Sequence, residues 1–310
     1  HFKNNYIYIN EALGKKVQQI NAYLVEAPMI FIQSMRKPLT EVQPMVFGSM
    51  PNDGGYLILT TEEKEELETQ YPESKQFIRR FLGAREFINN VDRWCLWIEP
   101  QNLLEVSKIK PVMERIKKVK EIRLNSKRKS TKELANYPYR FGEVRQPKDE
   151  YLLVPSTSSE NRKYIPIGFV DSKMVSSNAN LIIPKPSLSL FSILSSNVHM
   201  AWMRAVAGRL EMRYRYSASI VYNNFPFIEL NNEQKLKLDS TGEKILEARK
   251  LYSDWSFAQL YNELTMPPEL RRAHQENDKA VMEVYGFDWR NMTESECVAE
   301  LMKMYQNLTK

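Results

Sequence analysis

The chain has 310 residues, of which 43% are hydrophobic, 26% charged and 11% aromatic, and its formal net charge is +6. That length can bury a sizeable core and fits two or three domains. No window approaches 18 uninterrupted apolar residues, and His1 to Asn5 lack the apolar core of a signal peptide, so a cytoplasmic location without a membrane is expected.

The charge is uneven. Residues 231–310 hold 11 Lys/Arg against 14 Asp/Glu, a balance of −3, which leaves +9 on residues 1–230. Residues 110–132 alone hold ten Lys/Arg and two Glu. Charge so concentrated is a candidate footprint for a polyanion, the alternative being a solvated helix face. Cys95 and Cys297 have no metal-ligand spacing and read as small buried hydrophobes rather than a disulfide or zinc site.

Residues 1–35, with Ile7, Ile9, Val17, Ile20 and Leu24 as apolar points, read as a connector. Pro51, Asn52, Asp53, Gly54 and Gly55 supply turn chemistry before a strand at Tyr56–Leu59, and Thr60 with Glu63 makes a capping box for a charged helix. Glu73–Leu82 reads as a second short helix stopped by Gly83. The aromatic stretch Phe87–Ile98, with Trp94 and Trp97, reads as buried packing on a strand or a helix edge. A basic helix is expected from Pro111 to about Asn136, with Val112, Ile116 and Val119 on its inner face. Lys117, Lys118, Lys120, Arg123, Lys127, Arg128 and Lys129 would then be available to a polyanion. Short strands follow at Tyr151–Val154, Tyr164–Val170 and Asn180–Ile183, and Ser187 caps a buried helix.

The most informative stretch is Leu194–Phe227, LSSNVHMAWMRAVAGRLEMRYRYSASIVYNNFPF. An apolar run with His199, Trp202 and Met203 ends at Gly208, and Arg209, Glu211, Arg213 and Arg215 alternate with Tyr214 and Tyr216 beyond it. This reads as a buried helix, a glycine stop and one extended strand. Arg can fork onto guanine O6/N7, and a carboxylate can accept from cytosine N4, so that strand suits base reading; the bland alternative is a surface ion pair. Ser156, Thr157, Ser158 and Ser159 with Arg162 and Lys163 form a hydroxyl-and-cation cluster, either a phosphate or base contact or a polar turn. Arg204, Arg209 and Arg215 suit phosphate, a contact that fixes register without reading sequence. His199 and His274 read as packed core histidines. Tyr214 and Tyr216 have stacking on a displaced base as the alternative to core packing. After Pro226 the pattern is helical: Asn232–Trp255, Phe257–Leu264, Pro267–Tyr285 and Thr293–Leu308, the last with a Thr293/Glu296 capping box, and Gly286 ending the one before.

These pieces together resemble the region downstream of the methyltransferase domain in MmeI-type enzymes, bacterial proteins that join restriction and DNA adenine-N6 methyltransferase activities. The resemblance rests on KKVQQINAYLVEAP (15–28), FGSMPNDGG (47–55), FLGAREFINNVDRWCLWI (81–98), VPSTSSENRKYIPIGFV (154–170), the 194–227 block, ARKLY (248–252), LYNELTMP (260–267) and AHQENDKAV (273–281). It implies a mixed α/β (α+β) target recognition domain over 36–230, with short strands and a buried helix, then an all-helical C-terminal domain over 231–310. It also implies that Glu211 and Arg213 fall where the family varies to read one base pair, with Asn178 in a second base-selecting stretch. Double-stranded DNA is the implied partner. S-adenosylmethionine and Mg2+ are implied for methyltransferase and nuclease domains of the same parent chain.

Catalytic motifs do not accompany the resemblance. The only Pro-Pro, Pro267–Pro268, follows Met266, so no Asn/Asp-Pro-Pro-Tyr/Phe motif is present. Asn224-Phe225-Pro226-Phe227 lacks the two adjacent prolines and reads as structural. No G-x-G-x-x-G and no Asp…Glu-x-Lys nuclease signature stands out. The expectation is a sequence-specific DNA recognition module that catalyses nothing alone. The rivals are an interaction scaffold and a separate specificity subunit recruiting a methyltransferase in trans.

Overall fold

The computed structural model describes residues 5–8, 14–26 and 29–310. Ile9 of the connector, His1 to Asn4, and Ala27 and Pro28 of the first matching motif lie outside these residues. The chain begins with an antiparallel pair, β1 (Asn5–Ile7) and β2 (Lys15–Val17). After β3 (Val46–Phe47) and β4 (Ile58–Leu59), α1 (Thr61–Gln70) opens with the expected capping box. The side chain of Asp53 holds the intervening turn by accepting from the amides of Gly55 and Leu57 at 3.0 and 2.6 Å.

The helix expected over Glu73–Leu82 is not formed. A 3-10 turn at Pro72–Phe77 leads into β5 (Ile78–Leu82), and Gly83 caps the start of α2 (Ala84–Asn89) instead of ending a helix. Strand pairing overrides the local helical pattern here: β5 lies antiparallel to β6 (Trp94–Leu96), with Arg79 opposite Cys95, and buries Phe81. After α3 (Leu103–Val106), the basic helix α4 runs Lys110–Leu124 and stops at Asn125, short of the expected end. Lys127 and Arg128 therefore lie in a loop before α5 (Lys129–Glu133).

The strands β7 (Tyr151–Pro155), β8 (Thr157–Ser158), β9 (Gly168–Val170), β10 (Val175–Ser176) and β11 (Asn180–Pro184) follow. The helix expected up to Gly208 is two helices, α6 (Leu188–Leu194) and α7 (Asn197–Val206). The break falls at two serines: Ser196 Oγ donates to the Ile193 carbonyl at 2.7 Å and accepts from the His199 amide at 3.3 Å, replacing helical bonds with a new N-cap. Gly208 is not a left-handed stop. Ala207 is the cap, and Gly208 opens the strand β12 (Gly208–Leu210), which turns back as β13 (Arg213–Arg215). A π-helical turn, Ala218–Tyr222, precedes the helices α8 (Asn232–Lys250), α9 (Phe257–Leu260), α10 (Pro268–Val284) and α11 (Glu294–Thr309). The result is a mixed α/β structure of small sheets whose C-terminal region is helical, as expected from the sequence.

Two compact units form, one from residues 1–46, 154–168 and 183–310 and the other from 47–153 and 169–182. In the second, the sheet β10-β5-β6-β4 covers a core of Leu57, Leu59, Phe77, Phe81, Leu96, Val106 and Ile109, against which Val112, Ile116 and Val119 of α4 pack. The first unit holds the sheet β12-β13-β8 and the packed pairs α8/α10, α6/α8 and α7/α11. Its core is aromatic: Trp202, Tyr222, Phe225, Phe227 and Tyr285 meet edge to face or tilted, and Trp202 Nε1 donates to the Val221 carbonyl at 3.0 Å. No helix among the described residues is long and apolar enough to cross a membrane.

Candidate nucleic-acid interface

The residues 208–215 form a hairpin, not the single strand expected. Leu210 pairs with Arg213, leaving Glu211 and Met212 as the turn, and Glu211 adopts a left-handed φ of 56°. The turn brings Glu211 and Arg213 to one edge, where Arg213 Nη2 donates to Glu211 Oε2 at 2.7 Å with both side chains exposed. Arg209 lies with its guanidinium carbon 3.8 Å from the centroid of Tyr214 and donates to the Met212 carbonyl at 3.1 Å, bracing the turn. Arg215 points to solvent. Tyr214 and Tyr216 are buried, and the Tyr216 hydroxyl shares a 2.8 Å hydrogen bond with His199 Nε2; both rings serve the core.

The hydroxyl cluster is adjacent. Strand β8 pairs antiparallel with β13, setting Ser158 opposite Tyr214 and Thr157 opposite Arg215. The two features lie some fifty residues apart in the sequence, and strand pairing joins them in one sheet. Ser158 is buried, and its Oγ lies 3.5 Å from Arg162 Nη1. Burial lowers the Arg162 pKa from the ordinary guanidinium value, and among the described residues no carboxylate pairs with it. Lys163 is exposed, its ammonium 5.2 Å from the ring centroid of Tyr164. Arg204 behaves differently. Its Nε and Nη2 fork onto Glu294 at 2.7 and 2.9 Å while Nη1 donates to the Lys163 carbonyl at 3.1 Å, so its donors are already engaged. Glu294 gave no local sign of this role in the sequence.

In the other unit, Lys117, Lys118 and Lys120 are exposed on α4, and Lys127, Arg128 and Lys129 are exposed beyond it. Arg123 is the exception and corrects the sequence reading. It is fully buried and donates to the carbonyls of Pro51, Asn52, Leu134, Tyr137 and Arg140 at 2.7–3.0 Å. A signal was present: 112, 116, 119 and 123 continue one helical stripe. Asn178 is exposed in the turn between β10 and β11, its amide donating to the Ser49 carbonyl at 3.0 Å. Gly48 allows this close approach, because a Cβ there would run into the carbonyl oxygens of Ser176 and Ser177.

The remaining titratable groups belong to the core. Burial pushes His199 down to about 3 and His274 well below the usual imidazole range. Burial raises Asp278 to about 6 against the opposing hydrogen bonds from Tyr164 and Asn197. Cys95 and Cys297 are buried free thiols, as expected. Asn224 donates to the carbonyls of Gln33, Ser219 and Ile220, a structural role for the Asn-Phe-Pro-Phe stretch. Among the described residues, no group of three His, Cys, Asp or Glu could hold a metal ion.

Comparison with known proteins gives the family. Residues 26–229 match the family model described as MmeI, target recognition domain, and residues 230–310 match MmeI, C-terminal domain. The chain belongs to the MmeI family. It is 36% identical over 306 residues to DNA methyltransferase A of Bacillus subtilis (strain 168), a match covering 99% of this chain and 34% of that protein. It also superposes, with a TM-score of 0.90 and 45% identity, on a solved structure of the type IIL restriction-modification enzyme MmeI in complex with DNA. That match covers 96% of this chain and 40% of the other. The chain thus spans about a third of the length of the curated relative and two fifths of that structure.

Proposed function

We propose that this chain recognises a specific sequence in double-stranded DNA, as the target recognition part of a cytoplasmic restriction-modification protein with adenine-N6 methyltransferase and endonuclease activities. The observation that carries the reading is the hairpin, which holds a carboxylate and a guanidinium together at an exposed edge in a chain 45% identical to an enzyme solved with DNA. Glu211 would accept from a cytosine amine and Arg213 would donate to the paired guanine. Arg209 and Arg215 lie on the hairpin itself, and Arg162 and Lys163 follow the strand paired to it; these four would contact phosphates or neighbouring bases, whereas Ser158, expected at the contact, is buried and would act only by holding Arg162. Half-buried Arg162, with no carboxylate on it, is suited to an anionic partner.

Lys117, Lys120, Lys127 and Arg128 would contact backbone phosphates, and Asn178 a base edge. Arg204, committed to Glu294 and Lys163, would act indirectly. S-adenosylmethionine and Mg2+ would bind to methyltransferase and nuclease domains of the parent protein, which would act where this chain positions them.

Selection of duplexes from a random pool by the full chain tests the reading. Enrichment of one short motif is expected. Binding without enrichment, or no binding, would return the chain to the scaffold alternative.

A further inference from the structure

The segment between β8 and β9, residues 159–167, is irregular, and its local hydrogen bonds are confined to one turn at Ser159–Arg162. Its placement depends on what grips it. The Lys163 carbonyl accepts from Arg204, which Glu294 of α11 holds in a fork. The Tyr164 hydroxyl donates to Asp278 of α10 at 2.6 Å, and its ring stacks on His274 at 4.1 Å between centroids. The Ile167 carbonyl accepts from Arg249 of α8 at 2.7 Å. Three of the C-terminal helices therefore hold three successive points of one loop. That loop carries Arg162 and Lys163 and continues directly from the strand paired to the reading hairpin.

We propose that Glu294, acting through Arg204, is a positioning residue for DNA recognition, and that the C-terminal helices fix the loop 159–167 in the form that meets the duplex. The proposal rests on the DNA-recognition reading above. Its physical basis is preorganisation: a loop held in place loses less entropy on binding, and its cations meet phosphates in one register. Glu294 lies on the exposed side of its pair, so its loss should cost the fold little.

The experiment uses the full chain, the duplex it selects from a random pool, and a random duplex of equal length. Glu294→Gln is expected to lower the specific-to-nonspecific affinity ratio about tenfold, a charge-assisted hydrogen bond's worth of ordering, with an unchanged melting temperature. Amide exchange over 161–165 should quicken. Arg204→Lys, which keeps the charge but cannot fork onto Glu294 while reaching the Lys163 carbonyl, is expected to do the same. If Arg204 instead served phosphate directly, Glu294→Gln would free it and tighten binding to both duplexes, and Arg204→Lys would bind normally; either result overturns the inference alone. A wild-type chain with no sequence preference overturns the recognition reading and the inference with it.

Discussion

Arg213 donates to Glu211 at 2.7 Å across the turn of an exposed hairpin, so the two groups stand together before any duplex arrives. Held in register, they place side by side the acceptor and donor that the proposed reading of one C:G pair would use. As a solvent-exposed ion pair, the same contact adds almost nothing to folding.

Replacing both by alanine should therefore leave the melting temperature within a degree or two of the parent, since exposed pairs contribute about 0–1 kcal/mol. Discrimination at one base-pair position should fall by roughly 1–3 kcal/mol per contact. Sequencing the duplexes enriched by parent and variant would check this, and an unchanged motif would remove the pair from recognition.

Charge on and beyond α4 should appear in the salt dependence. If Lys117, Lys120, Lys127 and Arg128 each neutralise a phosphate, they supply about −3.6 to the slope of log K against log salt. Reversing the four charges should flatten the slope by at least that amount. A slope indifferent to the reversal would mark them as a solvated face.

Arg123, between those same cations in the sequence, should behave in the opposite way. Arg123→Met strips donors from five carbonyls and should cost about 3–5 kcal/mol in urea unfolding. Sites so far from a surface contact should show no specific change in the salt slope of whatever protein remains folded.

Acid should loosen the fold. His199 titrates at about 3 when folded against 6.5 when unfolded, so the unfolded chain binds the extra proton between those values and stability falls as pH drops below 6.5. His274 acts in the same direction. Asp278 opposes them: raised from 3.8 to about 6, it favours the folded state at the acid end and loses that contribution as pH rises to 6. Two histidines against one carboxyl leave a net loss toward pH 4. His199→Gln should flatten the dependence by about 1.4 kcal/mol per pH unit between pH 4 and 6, read from urea midpoints across pH. No flattening would mean His199 is hydrated and free to protonate.

Much of this was legible in the sequence because it was local. The capping boxes at Thr60 and Thr293, the cap at Ser187 and the left-handed Gly286 follow from side chains within three residues or from one backbone angle. The misread strands share a cause in pairing, whether the partner is near or distant along the chain. The stretch 78–82 becomes a strand because β6 pairs with it, and 208–215 folds back because its first half finds its second half a better neighbour than solvent. Glu211 and Arg213 could be named from residue chemistry, and Asn178 only through the family resemblance. The joining of the hairpin to the Ser158 cluster, and the tie from Arg204 to Glu294 ninety positions on, could not be read there, since no local pattern encodes such a pairing.

The left-handed backbone at Glu211 limits what could replace it. Asparagine, aspartate and glycine adopt that conformation readily, whereas valine, isoleucine and threonine resist it. A hairpin retargeted at this position would thus draw on a short chemical alphabet, weighted toward small amides and carboxylates and against branched hydrophobes. Arg213, on ordinary strand geometry, has no such restriction, so under the proposed reading the broader choice of new specificities would lie on its side of the turn.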